Sequence, residues 1–172
     1  MNIQDTLSTA LEFYTDPLLQ IQFLLKIIEQ YGYNTDLKQI TKSQTGYDQV
    51  RFWALVLIGS VVSSISFQSS TDSESIANKL NDIYEAEYEF RTDISVCEYL
   101  TELQAETVGI ILNEGYGLPQ LVTYTTKITQ PSCVISQVLY SDSTREQEII
   151  LRNNDRIRHP LFMPLELEVL SE

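Results

Sequence analysis

The one histidine of the chain, His159, stands in a short basic run with Arg152, Arg156 and Arg158. Guanidinium groups make charge-assisted, often bidentate hydrogen bonds to carboxylates and phosphates, and an imidazole adds a donor or a proton. These four residues are therefore a candidate docking patch for an anionic partner surface. His159 is also the only base on offer to a serine or cysteine nucleophile. It sits between Arg158 and Pro160, with no Gly-x-Ser-x-Gly elbow or activated-cysteine context beside it, so it reads as structural. The sequence has no phosphate-cradling glycine loop, no Cys-x-x-Cys pair and no metal-ligand spacing. Asp82, Glu85, Glu87 and Glu89 form an acid run that reads as a solvated helix face. The expectation is a protein that is not an enzyme and uses no cofactor or metal.

Charge narrows the partners. The chain of 172 residues carries 11 basic and 24 acidic side chains, for a net charge of −13. Such a chain is repelled by nucleic acid, whose phosphates require lysine and arginine, so no direct nucleic-acid contact is expected. The charge is uneven. Up to Pro119 there are 6 basic and 17 acidic residues, and from Gln120 onward 5 and 7. The basic patch thus lies in the less acidic end. Cys97 and Cys133 fall in apolar helical patterns and are expected to be free, buried thiols. No basic n-region opens the chain, so no signal peptide is expected. The longest apolar stretch, Phe52 to Phe67, is broken by Gly59 and several serines. It reads as a core helix rather than a membrane span.

The elements that must position the patch run from Leu121 to Leu170. Val122, Tyr124 and Thr126 alternate with Thr123, Thr125 and Lys127, which is the pattern of a strand. Gln130-Pro131-Ser132 ends it, with Pro131 opening a helix at its first position. Val134/Val138 and Ile135/Leu139 recur at helical spacing. Ser143-Thr144-Arg145-Glu146 reads as a capping box that starts a second short helix carrying Ile149 and Ile150. Asn153-Asn154 ends that helix, and Pro160 and Pro164 keep the next segment irregular. Leu165, Leu167 and Val169 alternate with Glu166 and Glu168 as a last strand.

This strand, helix, helix, strand order resembles a lysin-motif (LysM) domain, with TYTTK at the first strand, LYSD between the helices, ILRNND before the second loop and a closing LEVL. The residues Arg152-Asn153, Arg156-Ile157-Arg158-His159-Pro160, Pro164 and Leu167-Glu168-Val169-Leu170 resemble the C-terminal signature of Mu-like phage DNA circularisation proteins, a family of tail and baseplate components. The resemblance runs from about Val96 to the end and more faintly from about Trp53. It implies a larger N-terminal region that is missing here or has become a separate gene product.

Ahead of that region the chain reads as helices. Asp5 caps a helix through about Tyr14. Asp16-Pro17 starts another, with Leu18, Ile21, Leu24, Leu25 and Ile28 on one face and Tyr31-Gly32 at its end. Tyr33 to Gly46 reads as a loop or a helical turn around Leu37 and Ile40. A buried helix follows from Tyr47 to about Phe67. Thr71…Glu74 is a capping box for a helix that turns Ile76, Leu80, Ile83 and Tyr84 inward. Thr92 caps a long helix with Val96, Leu100, Leu103, Thr107 and Ile110 at helical spacing, closing at Asn113-Glu114-Gly115. The expected class is α+β, mainly α, with a helical hairpin or bundle over 1–118 followed by a LysM-like βααβ domain over 119–172.

The resemblance implies a structural part of a phage, or phage-like contractile, tail baseplate or hub. Its partners would be other tail proteins in a symmetric assembly of three or six copies. It would be located in the virion after assembly in the host bacterial cytoplasm. The alternative is a peptidoglycan- or glycan-binding LysM protein. In LysM domains the sugar groove lies beside the loop after the first strand and the loop before the last. The usual Gly-Asp-Thr of the first loop is replaced here by Gln130-Pro131-Ser132, and the subgroup's Pro-Gly-Gly is cut to Pro164-Leu165.

Overall fold

The computed structural model describes residues 2–171. The chain forms two compact units, Met1–Phe67 with Asp72–Tyr116, and Gln68–Thr71 with Gly117–Glu172. Helix dominates, with seven α-helices and two small antiparallel sheets among the described residues, so the class is α+β and mainly α.

In the first unit, α1 (Ile3–Leu11) buries Leu7 and Leu11. It begins after Asn2, with Asp5 inside the first turn, and stops three residues short of Tyr14. Helix α2 (Pro17–Gln30) starts where the sequence places it. The Asp16 carboxylate accepts a hydrogen bond from the Leu18 N–H at 2.9 Å, and Pro17 fills the first helical position. Ile21, Leu24, Leu25 and Ile28 are all buried.

At Gly32 the backbone φ is +112°, and a Cβ there would lie 2.0 Å from the Lys42 carbonyl oxygen, so only glycine fits. Of the segment expected as a loop or a helical turn, Thr41 to Gly46 is irregular as expected, but the part before it is ordered into strands. That part is a hairpin of β1 (Tyr33–Asn34) and β2 (Gln39–Ile40), paired Tyr33 to Ile40 and Asn34 to Gln39. The Asn34 side chain accepts from the Leu37 N–H at 2.9 Å, closing the turn between the strands, and Lys38 takes a positive φ. Two-residue strands leave too little alternation to be read from sequence.

Helix α3 (Tyr47–Val61) passes into a 3₁₀ turn at Val62–Ser64 and stops well before Phe67. The Ser60 and Ser64 hydroxyls donate to the Leu57 and Val61 carbonyls, giving backbone groups local partners where the helix ends. Helix α4 (Ser70–Phe90) has Thr71 inside it, so the expected capping box is not the one used. Helix α5 (Ile94–Gly115) is capped by Asp93, which accepts from Ser95 and Val96, rather than by Thr92. A Cβ on Gly59 would lie 2.7 Å from the Leu103 side chain, so α3 and α5 cross closely at that glycine. The buried face of α5 is Leu100, Thr107 and Ile111; Ile110 is turned outward. Twenty buried residues, from Leu7 to Ile111, form one core.

The second unit runs β3 (Leu121–Thr125), α6 (Ser132–Tyr140), a 3₁₀ turn at Ser143–Arg145, α7 (Glu146–Arg152) and β4 (Glu166–Leu170). Strands β3 and β4 are antiparallel, from Leu121 opposite Leu170 to Thr125 opposite Glu166. Their period-2 alternation turns Leu167 and Val169 onto Ile135, Ile149 and Met163, a core of five buried residues. Two local details differ from expectation. Pro131 is the residue before α6 and not its first member, and Ser132 at the helix start donates its hydroxyl to Glu146 at 2.9 Å. Asp142, not Ser143, caps the next turn by accepting from the Thr144 N–H and hydroxyl. Those hydrogen bonds hold the Asp142 carboxyl below its ordinary range.

Candidate functional site

The candidate patch lies on the irregular segment between α7 and β4. Asn153 anchors that segment. Its amide donates to the Glu168 carbonyl at 2.7 Å and to the Ile149 carbonyl at 2.9 Å, and its oxygen accepts from the Glu168 N–H at 2.8 Å. One side chain therefore pairs with β4 much as a neighbouring strand would. The sequence showed Asn153 only as a helix terminator, because its strand partner is fifteen residues away.

Beyond Asn153 the chain wraps an open cleft of about 580 Å3 lined by Thr129, Arg156, Arg158, His159, Phe162, Met163, Pro164 and Leu165. Three of the four predicted patch residues meet there. Arg152 does not line it; its guanidinium donates to the Gln68 side chain at 3.3 Å. Arg156 reaches the Glu168 carboxylate at 3.5 Å, with both side chains about half exposed, a pair worth roughly 0–1 kcal/mol. Arg158 is exposed and makes no ion pair among the described residues.

His159 is exposed, and its Nδ1 accepts a hydrogen bond from the Leu161 N–H at 3.1 Å. In the neutral ring the proton is then on Nε2, which is left as a donor. The ring lies 6.0 Å from that of Phe162, which is 69% exposed. Met163 is buried and forms the floor. The arrangement offers cationic and neutral donors beside an apolar wall. It has no nucleophile paired with a base, and no group of three or more metal-ligating side chains exists among the described residues.

A second charged constellation lies in the first unit, and the sequence reading missed it. Glu87, expected on a solvated face, is fully buried, and so is Arg51. The Arg51 Nε donates to Glu87 Oε1, and the Arg91 Nε donates to Glu87 Oε2 at 2.8 Å. Arg51 Nη1 donates to the Tyr31 carbonyl and Arg91 Nη2 to the Asp48 carbonyl, each at 2.8 Å, while the buried Arg51 Nη2 has no hydrogen-bond partner among the described residues. Phe90 lies 5.0 Å from the Arg51 guanidinium and Phe52 5.6 Å from that of Arg91. Both oxygens of the carboxylate are occupied, so the cluster ties α2, α3 and α4 together and leaves no group for proton transfer. The signal was present in the spacing: Glu87 is four residues from Ile83 and three from Tyr84, which both face the core.

Other titrating groups follow from local partners. The Lys79 ammonium, 2.9 Å from Glu29, holds that carboxyl below its ordinary range. Burial, with Asp82 and Glu29 nearby, pushes the Tyr33 hydroxyl up to about 12. Burial also raises Tyr84, Tyr88 and Tyr140. Both cysteines are free, but neither is buried: Cys133 is exposed and Cys97 half-buried, because each sits off the stripe its helix turns inward. No helix of the described residues is long and apolar enough to cross a membrane.

No protein-family model and no curated protein matches the chain.

Proposed function

We propose that this chain is a structural component of a phage, or phage-like contractile, tail baseplate or hub. Its C-terminal unit is a LysM-like βααβ module that docks neighbouring subunits. The observation that carries the docking reading is a mismatch within that unit. Its core has five buried residues, whereas eight of its large apolar side chains are exposed, among them Leu151, Phe162, Ile128 and Val138 at 63–74%. Exposed apolar side chains in this proportion suit a surface covered by a partner. The tail assignment draws its support from the residues of the signature between Arg152 and Leu170. On this reading the protein is not an enzyme, makes no direct contact with nucleic acid, and assembles in the host cytoplasm into a virion particle of threefold or sixfold symmetry.

Quantitative mass spectrometry of purified intact particles against total lysate tests the proposal. Enrichment at a fixed small ratio to baseplate proteins is expected. A protein left soluble in the lysate and missing from particles removes the tail reading.

One observation favours a second reading. The cleft lies between Thr129, in the loop after β3, and Pro164-Leu165, in the loop before β4, which is where LysM domains hold sugar. The loops lack the glycines that let a backbone approach a glycan. A peptidoglycan pull-down with the intact chain, lost on Phe162→Ser, would favour glycan binding over docking.

A further inference from the structure

The geometry points to a partner of defined chemistry for the cleft: a peptide segment of a neighbouring subunit that carries a carboxylate next to a large apolar side chain. This rests on the docking reading above. The carboxylate would be held by Arg158 and by Nε2–H of His159, and the apolar side chain would lie against Phe162 and Leu165.

Three features of the cleft select this occupant. First, its cations are available. Arg158 has no ion pair among the described residues, and Arg156 is held by Glu168 only at 3.5 Å with both partners about half in solvent. An incoming carboxylate can exchange with Glu168 at little cost, because an exposed pair of that kind is worth roughly 0–1 kcal/mol. Second, the apolar wall is out of proportion to what a free anion needs. Phe162 is 69% and Leu165 47% exposed beside the cations, so a simple ion would leave that surface wet. Third, His159 lines the cleft and in its neutral form carries the proton on Nε2, a donor, since Nδ1 already accepts from Leu161. Donors and cations together suit an acceptor-only carboxylate.

The same features weigh against other occupants. A neutral glycan uses the aromatic ring but not the guanidinium charge. A nucleic acid carries many phosphates toward a chain of net charge −13. For a short acidic segment that long-range repulsion is largely screened, because the Debye length is about 8 Å at physiological salt.

The test is methyl and amide NMR of the intact chain titrated with capped peptides. The probes are Leu-Asp-Glu-Phe, its amide counterpart Leu-Asn-Gln-Phe, its polar counterpart Ser-Asp-Glu-Ser, and chitohexaose. Saturable shifts confined to Thr129, Met163 and Leu165, which line the cleft, with the acidic apolar peptide at least tenfold tighter than either peptide control, are expected. Arg158→Glu, checked for an otherwise unchanged spectrum, should abolish them, and Arg158→Lys should retain part. Equal binding of the amide peptide, shifts outside the cleft, no saturation at millimolar peptide, or tighter binding of chitohexaose each overturns the proposal. Particle composition stands apart from this result: a chain enriched in particles but silent toward the acidic peptide keeps the tail reading and loses this one.

Discussion

The two units answer the same problem, how to hold short elements together, in different ways. The first has a core of twenty buried residues with a carboxylate between two arginines inside it. The second has a core of five, and an asparagine side chain supplies part of its sheet. The first buries one arginine–glutamate pair among its otherwise more exposed charges. The second keeps its charges at the surface, beside apolar side chains that its own core does not cover. A large core can absorb a buried ion pair without depending on it for cohesion. A small one has little apolar area to spend, so specific hydrogen bonds matter more, and the uncovered apolar surface is what a partner would bury.

Removing the buried carboxylate should produce the largest change. Glu87→Ala leaves two guanidiniums facing each other in the first unit, at a cost of about 3–5 kcal/mol. Denaturant unfolding should then show the first unit melting at lower concentration while the second holds. Replacing the innermost pair together, Arg51→Met with Glu87→Leu, should recover most of that loss. Failure of the double variant to recover would show that the cluster does more than neutralise itself.

Next comes Asn153→Ala, which strips both hydrogen bonds from Glu168. Each unsatisfied buried group costs about 1–3 kcal/mol, a large share of what a five-residue core supplies. Hydrogen exchange should accelerate across β3 and β4 and stay slow in α2 and α3. Uniform acceleration across both units would break the comparison, since it would make them one cooperative body.

Alkaline titration sharpens it further. A raised tyrosine pKa means that the folded state keeps a proton which the unfolded state releases. Stability therefore starts to fall as pH rises above about 10, the unperturbed value, and for Tyr33 the decline ends near 12. Tyr33, Tyr84 and Tyr88 belong to the first unit and Tyr140 to the second, so the first should lose more. Equal losses, read from tyrosinate absorbance alongside circular dichroism, would count against burial as the cause.

The smallest effect on stability belongs to the surface. Arg156→Ala with Arg158→Ala should change unfolding by less than about 1 kcal/mol, since only an exposed pair is lost. Particle yield should nevertheless fall. Normal yield from a normally folded variant would remove these arginines from docking.

Much of this architecture was legible from local residue patterns. Asp16-Pro17 placed the start of α2 to the residue, because a cap and a proline act through neighbouring atoms. The inward stripe Ile21, Leu24, Leu25 and Ile28 was fixed by helical period alone, and Leu167 and Val169 by strand period. Arg156, Arg158 and His159 line one cleft because a short segment with Pro160 and Pro164 keeps them close whatever the fold. The rest depended on distant partners. Several residues compete to cap a turn, and Asp93 and Asp142 prevailed over Thr92 and Ser143 through geometry of one or two residues. The hairpin at Tyr33 to Ile40 was too short to show a period. Glu87 looked solvated until Arg51, thirty-six residues earlier, came to meet it. Arg152 left the patch because Gln68 offered its side-chain oxygen. Local rules set where elements begin and which face is apolar; which charge is buried, and which stays at the surface, is settled by the chain elements that arrive beside it.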